Sequence, residues 1–231
     1  MKFKAFGVVG FLVLLTSFFG YANIKQIAIP LDIEFLKLVP EAVEGSAHQI
    51  AVSESQGVKL LNDDLVVVAQ IKQPAEHLDY RRLPNTRNKG VITTLDANTG
   101  ELLLIEIDHK QQQLDIKQRF KPQNSSIDAL CLSAASHGID VFTVDVLGQV
   151  VHYNVYQARN QAWQLNEIAR FPVGPNVKSC AVSDKSESLY IVEENIGVWR
   201  YSSNPEHERT RELIQLDKGL EVEYVDTTLQ G

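Results

Sequence analysis

The sequence predicts an all-β fold, and three observations carry the prediction. Short runs rich in β-branched residues recur at intervals of about ten residues, clusters of turn-forming residues separate them, and amphipathic helical periodicity is poor throughout. The first runs are residues 50–52 and 65–71, with Asn62-Asp63-Asp64 as the break before the second. Residues 91–95 and 102–107 flank Asp96-Ala97-Asn98-Thr99-Gly100-Glu101, an Asp/Asn-rich hairpin loop with glycine placed for positive φ. Residues 129–132 and 141–146 follow, parted by Ser136-His137-Gly138, and Gly148-Gln149 turns the chain into 150–155. Residues 167–171 precede Gly174-Pro175-Asn176; then come 180–182, 189–192 and 198–201, closed by Asn204-Pro205.

Two of these stretches repeat. Cys131-Leu132-Ser133, residues 141–145 and 150–153 form one unit; Cys180-Ala181-Val182, residues 189–193 and 198–201 form another. The spacing from Val144 to Tyr153 equals that from Val192 to Tyr201, which sets a period of 48–49 residues. A strand, a loop and a hairpin ending in an aromatic, repeated in register, is the signature of a propeller blade. A sandwich does not require two units in register. At this period the chain holds about four blades, so the β-propeller is expected to be incomplete, its ring finished by further sequence or a partner.

Residues 1–22 read as a signal peptide. Lys2 and Lys4 precede a nearly unbroken apolar run from 5 to 19, and Gly20-Tyr21-Ala22 supplies small residues for cleavage. The protein is therefore expected to be secreted or periplasmic, with no membrane association after cleavage and a single domain over 23–231. Its removal leaves 209 residues and, with the loss of two lysines, moves the net charge from −7 to −9. An acidic surface of this kind excludes nucleic acid as the expected partner and favours cations. Cys131 and Cys180 can pair in an oxidising compartment or remain buried thiols; the sequence leaves both open.

Glu193-Glu194, at the turn between the last two strand runs, stands out. Two adjacent carboxylates repel unless a cation lies between them, and calcium takes several oxygen ligands. Two solvated glutamates on an exposed turn are the plainer alternative. Tyr80 to Gly90 gathers four cations and no acid, either an anion-binding loop or a solvated hairpin. No HxH or HExxH pattern, GxSxG, P-loop or GxGxxG occurs, which takes zinc, serine-hydrolase, nucleotide-hydrolase and dinucleotide chemistry out of the first rank.

Ser183-Asp184, Leu189-Tyr190-Ile191-Val192-Glu193-Glu194, Val198-Trp199-Arg200-Tyr201-Ser202 and Pro205 together resemble the signature blade of the β-propeller phytases, calcium-dependent phosphatases acting on inositol hexakisphosphate (phytate). The resemblance is strong over residues 176–206 and weaker over 125–175, where residues 148–153 resemble the preceding blade; before 125 it is thin. It implies a six-bladed propeller and, for a chain of this length, the incomplete first domain of a two-domain member, with a catalytic propeller domain following. It implies calcium as cofactor, with Glu193 and Glu194 matching a ligand pair and Glu221 standing near a further acidic ligand. Lys178 occupies a position where the family pattern has glutamate, and as a point charge it can bind phosphate directly. The hairpin Val146-Leu147-Gly148 lacks the family's phosphate-binding lysine. Arg87 and Lys89, in Thr86-Arg87-Asn88-Lys89-Gly90, echo a family loop bearing a phosphate-binding arginine. The functional expectation is calcium-dependent phosphate release from phytate, with further sequence needed for catalysis. The alternatives are a non-catalytic accessory domain binding phytate, calcium or a neighbouring domain, and a metal-free scaffold for protein contacts.

Overall fold

A computed structural model describes residues 34–216 apart from 44–45, 84–85, 87, 125, 136–137 and 159–160. The expected signal peptide lies outside the described residues. Sixteen strands and no helix are found among those described. They form four antiparallel sheets of four strands, each a simple meander. Blade 1 is β1 (Phe35–Val43), β2 (Ser46–Ser53), β3 (Gly57–Leu61) and β4 (Val67–Ile71). Blade 2 is β5 (Ala75–Arg82), β6 (Lys89–Asp96), β7 (Leu102–Asp108) and β8 (Gln113–Phe120). Blade 3 is β9 (Ile127–Ala135), β10 (Gly138–Asp145), β11 (Gln149–Gln157) and β12 (Trp163–Pro172). Blade 4 is β13 (Val177–Ser183), β14 (Ser188–Glu193), β15 (Gly197–Ser202) and β16 (Glu212–Leu216). The arrangement is a β-propeller of four blades, and the expected all-β class and blade number hold.

Alternation along each middle strand makes both faces of a blade apolar. On β6, Ile92 joins the core between blades 1 and 2, whereas Val91 and Leu95 join the core between blades 2 and 3. On β7, Leu103 and Ile105 face one way and Leu102 and Leu104 the other. Phe142, Val144, Leu189, Ile191 and Tyr201 build the third core, between blades 3 and 4. Burying a large aliphatic side chain is worth roughly 1.5–3 kcal/mol, so these three seams dominate the favourable free energy. The outer strands bear water on one side: β8 alternates exposed and half-buried residues along its whole length.

The first strand of each blade faces the propeller axis, and a buried polar network ties these strands together. Asp79 of β5 accepts a 3.0 Å contact from the Lys37 ammonium of β1 and a 3.3 Å contact from Arg81, and it takes the Leu132 amide of β9 at 2.8 Å. Arg81 continues across the axis, donating to the Val182 carbonyl of β13 at 2.9 Å and pairing with Asp184. Asp184 in turn holds the Ser133 hydroxyl and the Ala134 amide. Lys37, Asp79 and Arg81 are all buried, so each charge depends on its partners for solvation. The Cys131 and Cys180 sulfurs are bonded, linking β9 to β13, which settles the alternative left open by the sequence.

Candidate functional site

One end of the propeller collects the groups that can do chemistry. There the hairpin between the second and third strand of a blade is tied to the residue just before the blade's first strand. The Ala97 amide donates to the Pro74 carbonyl at 3.1 Å, Val146 to Ser126 at 3.0 Å, and Glu194 to Asn176 at 3.0 Å. In blade 1 the Glu54 amide of the corresponding hairpin reaches the Glu34 carboxylate. Glu34, Glu54, Glu76, Asp128, Glu193 and Glu194 therefore lie at this end, together with Asp96 and Asp145 at the ends of β6 and β10. Burial, then the Glu54 and Glu34 charges, push the Glu76 carboxyl above its ordinary range. The Asp128 carboxyl is also pushed up, chiefly by burial and further by Asp145, with His77 and Lys178 pulling the other way.

Glu193 and Glu194 lie at this end but face different partners. The Glu193 carboxylate is buried and accepts the Trp199 indole N–H at 2.7 Å. Glu194 pairs with the Lys178 ammonium at 3.2 Å, both side chains well exposed. The blade repeat explains why Glu193 turns inward. Asp96 and Asp145 hold the equivalent place in blades 2 and 3, where their carboxylates cap the turn by accepting the Asn98 amide at 3.0 Å and the Leu147 and Gln149 amides at 3.0 and 2.9 Å. Glutamate is one methylene longer and reaches the indole instead. Gly174 makes room for it, since a β-carbon there would stand 1.9 Å from a Glu193 carboxylate oxygen. Gly174→Ala is accordingly expected to expel Glu193 from the indole and cost about 1–3 kcal/mol, the range for over-packing a well-filled site. Tryptophan fluorescence, read with a thermal melt, checks both effects.

Lys178 lies at the acidic end and lines a cavity of about 350 Å³ on the axis. Lys89 is elsewhere: it begins β6, at the opposite end of the blade, about 20 Å away at the ordinary rise per residue. It pairs with Glu106 at 3.0 Å, and that hydrogen bond holds its ammonium above the usual lysine range. Arg87 and Glu221 lie outside the described residues. The structure thus brings together Glu193, Glu194 and Lys178 and separates Lys89 from them. His77, Asp128, Glu34 and Glu76 share the same end without having been singled out from the sequence. The available signal was the polar pair Glu76-His77 opening a strand whose next residues are apolar in alternation. Among the described residues, no three His, Cys, Asp or Glu side chains stand together as a ready metal cluster. The donors are of the oxygen type that calcium prefers, but Glu193 and Glu194 are each engaged by a protein partner.

No protein-family model matches the sequence, and no curated protein does. Among solved structures, the crystal structure of the Saccharomyces cerevisiae Sqt1 is similar, with a TM-score of 0.55 and 14% identity over 82% of this chain and 51% of that one. At that identity the likeness is one of fold. The chain spans about half the length of the solved structure it matches.

Proposed function

We propose that this propeller is an exported domain of phytase type that takes up calcium at its acidic end and, through calcium, inositol hexakisphosphate. The observation supporting this is the excess of carboxylates along the end of the blades that carries Glu193 and Glu194. A cluster of this sign is unattractive to a polyanion until divalent cations reverse the local field. Bound calcium, when present, would supply positive charge to hold phosphate oxygens and polarise water. The chain's own part is to offer carboxylate oxygens at a fixed rim and, through Lys178, one direct contact to phosphate. Calcium-dependent phosphate release is the reaction the family resemblance implies.

The ion pair between Lys178 and Glu194 favours the accessory form of this reading. It places an ammonium where the family pattern has a carboxylate and engages one of the two signature glutamates. Turnover is then supplied with further sequence or by a following catalytic propeller domain, and this chain contributes binding. Phosphate release from phytate, with and without calcium, tests this on the isolated chain and on a C-terminally extended one. The expected result is release only from the extended chain and only with calcium. Calcium-dependent release by the isolated chain would replace the accessory form with an active enzyme; release that ignores calcium would remove the phytase reading. Lys178→Glu is expected to tighten calcium binding, and a titration showing no gain counts against Lys178 as the replaced ligand position.

A further inference from the structure

We propose that the axial cavity binds a small zwitterion with an apolar tail, chemically an α-amino acid, at a site that does not rest on the calcium reading. The cavity takes its wall from the first strands of all four blades; Phe35, Leu36, Leu78, Ala129 and Leu130 supply its apolar part, beside the mutually paired Lys37 and Asp79. Its volume of about 350 Å³ lies within the range of small-molecule sites, roughly 300–1,000 Å³.

The lip of this cavity is built by an irregularity that recurs. Three of the four first strands carry one extra residue at the same level. On β5, His77 and Leu78 together oppose Thr94; on β9, Asp128 is the extra residue; on β13, it is Lys178. A bulge takes a side chain out of the sheet's alternation and re-aims it. The His77 ring packs against Phe35, with centroids 5.3 Å apart, whereas Lys178 pairs with the exposed Glu194. His77 has a left-handed backbone, φ 56°, which only the surroundings can hold in place. The Thr94 hydroxyl holds it, reaching the Glu76 carbonyl at 2.9 Å and the His77 carbonyl at 2.7 Å. The His77 ring is fixed as well. Its Nε2 lies 3.1 Å from the Ile127 carbonyl, which can only accept, so Nε2 carries the proton and Nδ1 the lone pair. Burial lowers the imidazole's basicity further, favouring the neutral ring.

Both signs of charge therefore stand at the mouth: Glu34 and Lys178 line the cavity, and Asp128 precedes the lining residue Ala129. Asp128 lies within electrostatic reach of His77 and Lys178, and an added ammonium would favour its ionised form. Lys178 offers a cation, and its pair with Glu194 is exposed and weak enough to exchange. A plain anion meets Asp128 and Glu34 here, whereas a plain cation meets Lys178. A ligand with an ammonium and a carboxylate on one carbon satisfies both, and its side chain enters the apolar cavity.

Calorimetric titration of the full chain with L-leucine, N-acetyl-L-leucine and isoamylamine, in excess EGTA, tests the proposal without involving calcium. Leucine is expected to bind, with each singly charged analogue at least about tenfold weaker. Lys178→Met should erase the preference over the amine, and Asp128→Asn the preference over the acetylated compound. Should Asp128→Asn fail to fold, the exposed Lys178 position decides alone. Equal affinity for the three compounds, leucine binding unchanged in Lys178→Met, or no heat up to about 10 mM with the native melting midpoint would each overturn the site.

Discussion

Replacing Asp79 by alanine is expected to lower stability by about 3–5 kcal/mol, the cost of breaking a buried ion pair from one side. Asp79 is 4% exposed and serves Lys37, Arg81 and two backbone amides, Tyr80 and Leu132. Without it, two cations stay in the interior with their nearest countercharge removed, and the amide of β9 loses its acceptor. The loss falls on the axis, where blades 1, 2 and 3 meet, so it weakens more than one seam. For a domain of this size each kcal/mol shifts the melting midpoint by roughly 2–4 °C, which places the variant about 6–20 °C below the native chain. Asp79→Asn keeps an acceptor for the Leu132 amide and should fall between the two. A midpoint within about 2 °C of native for Asp79→Ala would mean that Asp184 and water take over the two cations, contrary to the described network.

Removing the bond between Cys131 and Cys180 is the second large effect expected. The cross-link spans 49 residues, for which the chain-entropy model gives about 4 kcal/mol at 25 °C. Both cysteines are buried in or beside the seam between blades 3 and 4, so alanine at each position also leaves a small void. The double variant should melt well below the native protein and ignore reductant, whereas the native protein should drop to a similar midpoint when reduced. Insensitivity of the native protein to reductant would show that the bond does not form. Because Cys131 precedes Leu132, whose amide Asp79 holds, combining both changes should cost less than their separate effects added.

Seven of the eight middle strands were legible from sequence because a propeller buries them on both faces; the fully buried β3 escaped because Lys59 interrupts its apolar run. Each of the eleven apolar runs marks a strand, with Leu65, Val66 and Val146 falling just outside, and the repeat relating 131–153 to 180–201 marks blades 3 and 4. The strands that escaped are β1, β3, β5, β8 and β16. Water-facing alternation of Gln113, Asp115, Lys117 and Arg119 conceals β8, and the charges of the axial network conceal β5, whose Asp79 and Arg81 read as surface residues until their partners are known. The candidate site was legible only in part for a related reason. Glu193 and Glu194 are adjacent in sequence, yet the first ends β14 and the second opens the turn, and their partners Trp199 and Lys178 come from strands on either side. The grouping of His77, Asp128 and Lys178 depends on three bulges, and register is a property of pairing rather than of one strand's composition.

The central claim, that the acidic end of the propeller takes up calcium, is tested most directly by calorimetric calcium titration of the native chain beside Glu193→Gln/Glu194→Gln. The account predicts saturable binding to the native chain that the double variant loses while keeping its fold by circular dichroism. Absence of saturable heat in the native chain, or the same isotherm from both proteins, would contradict it.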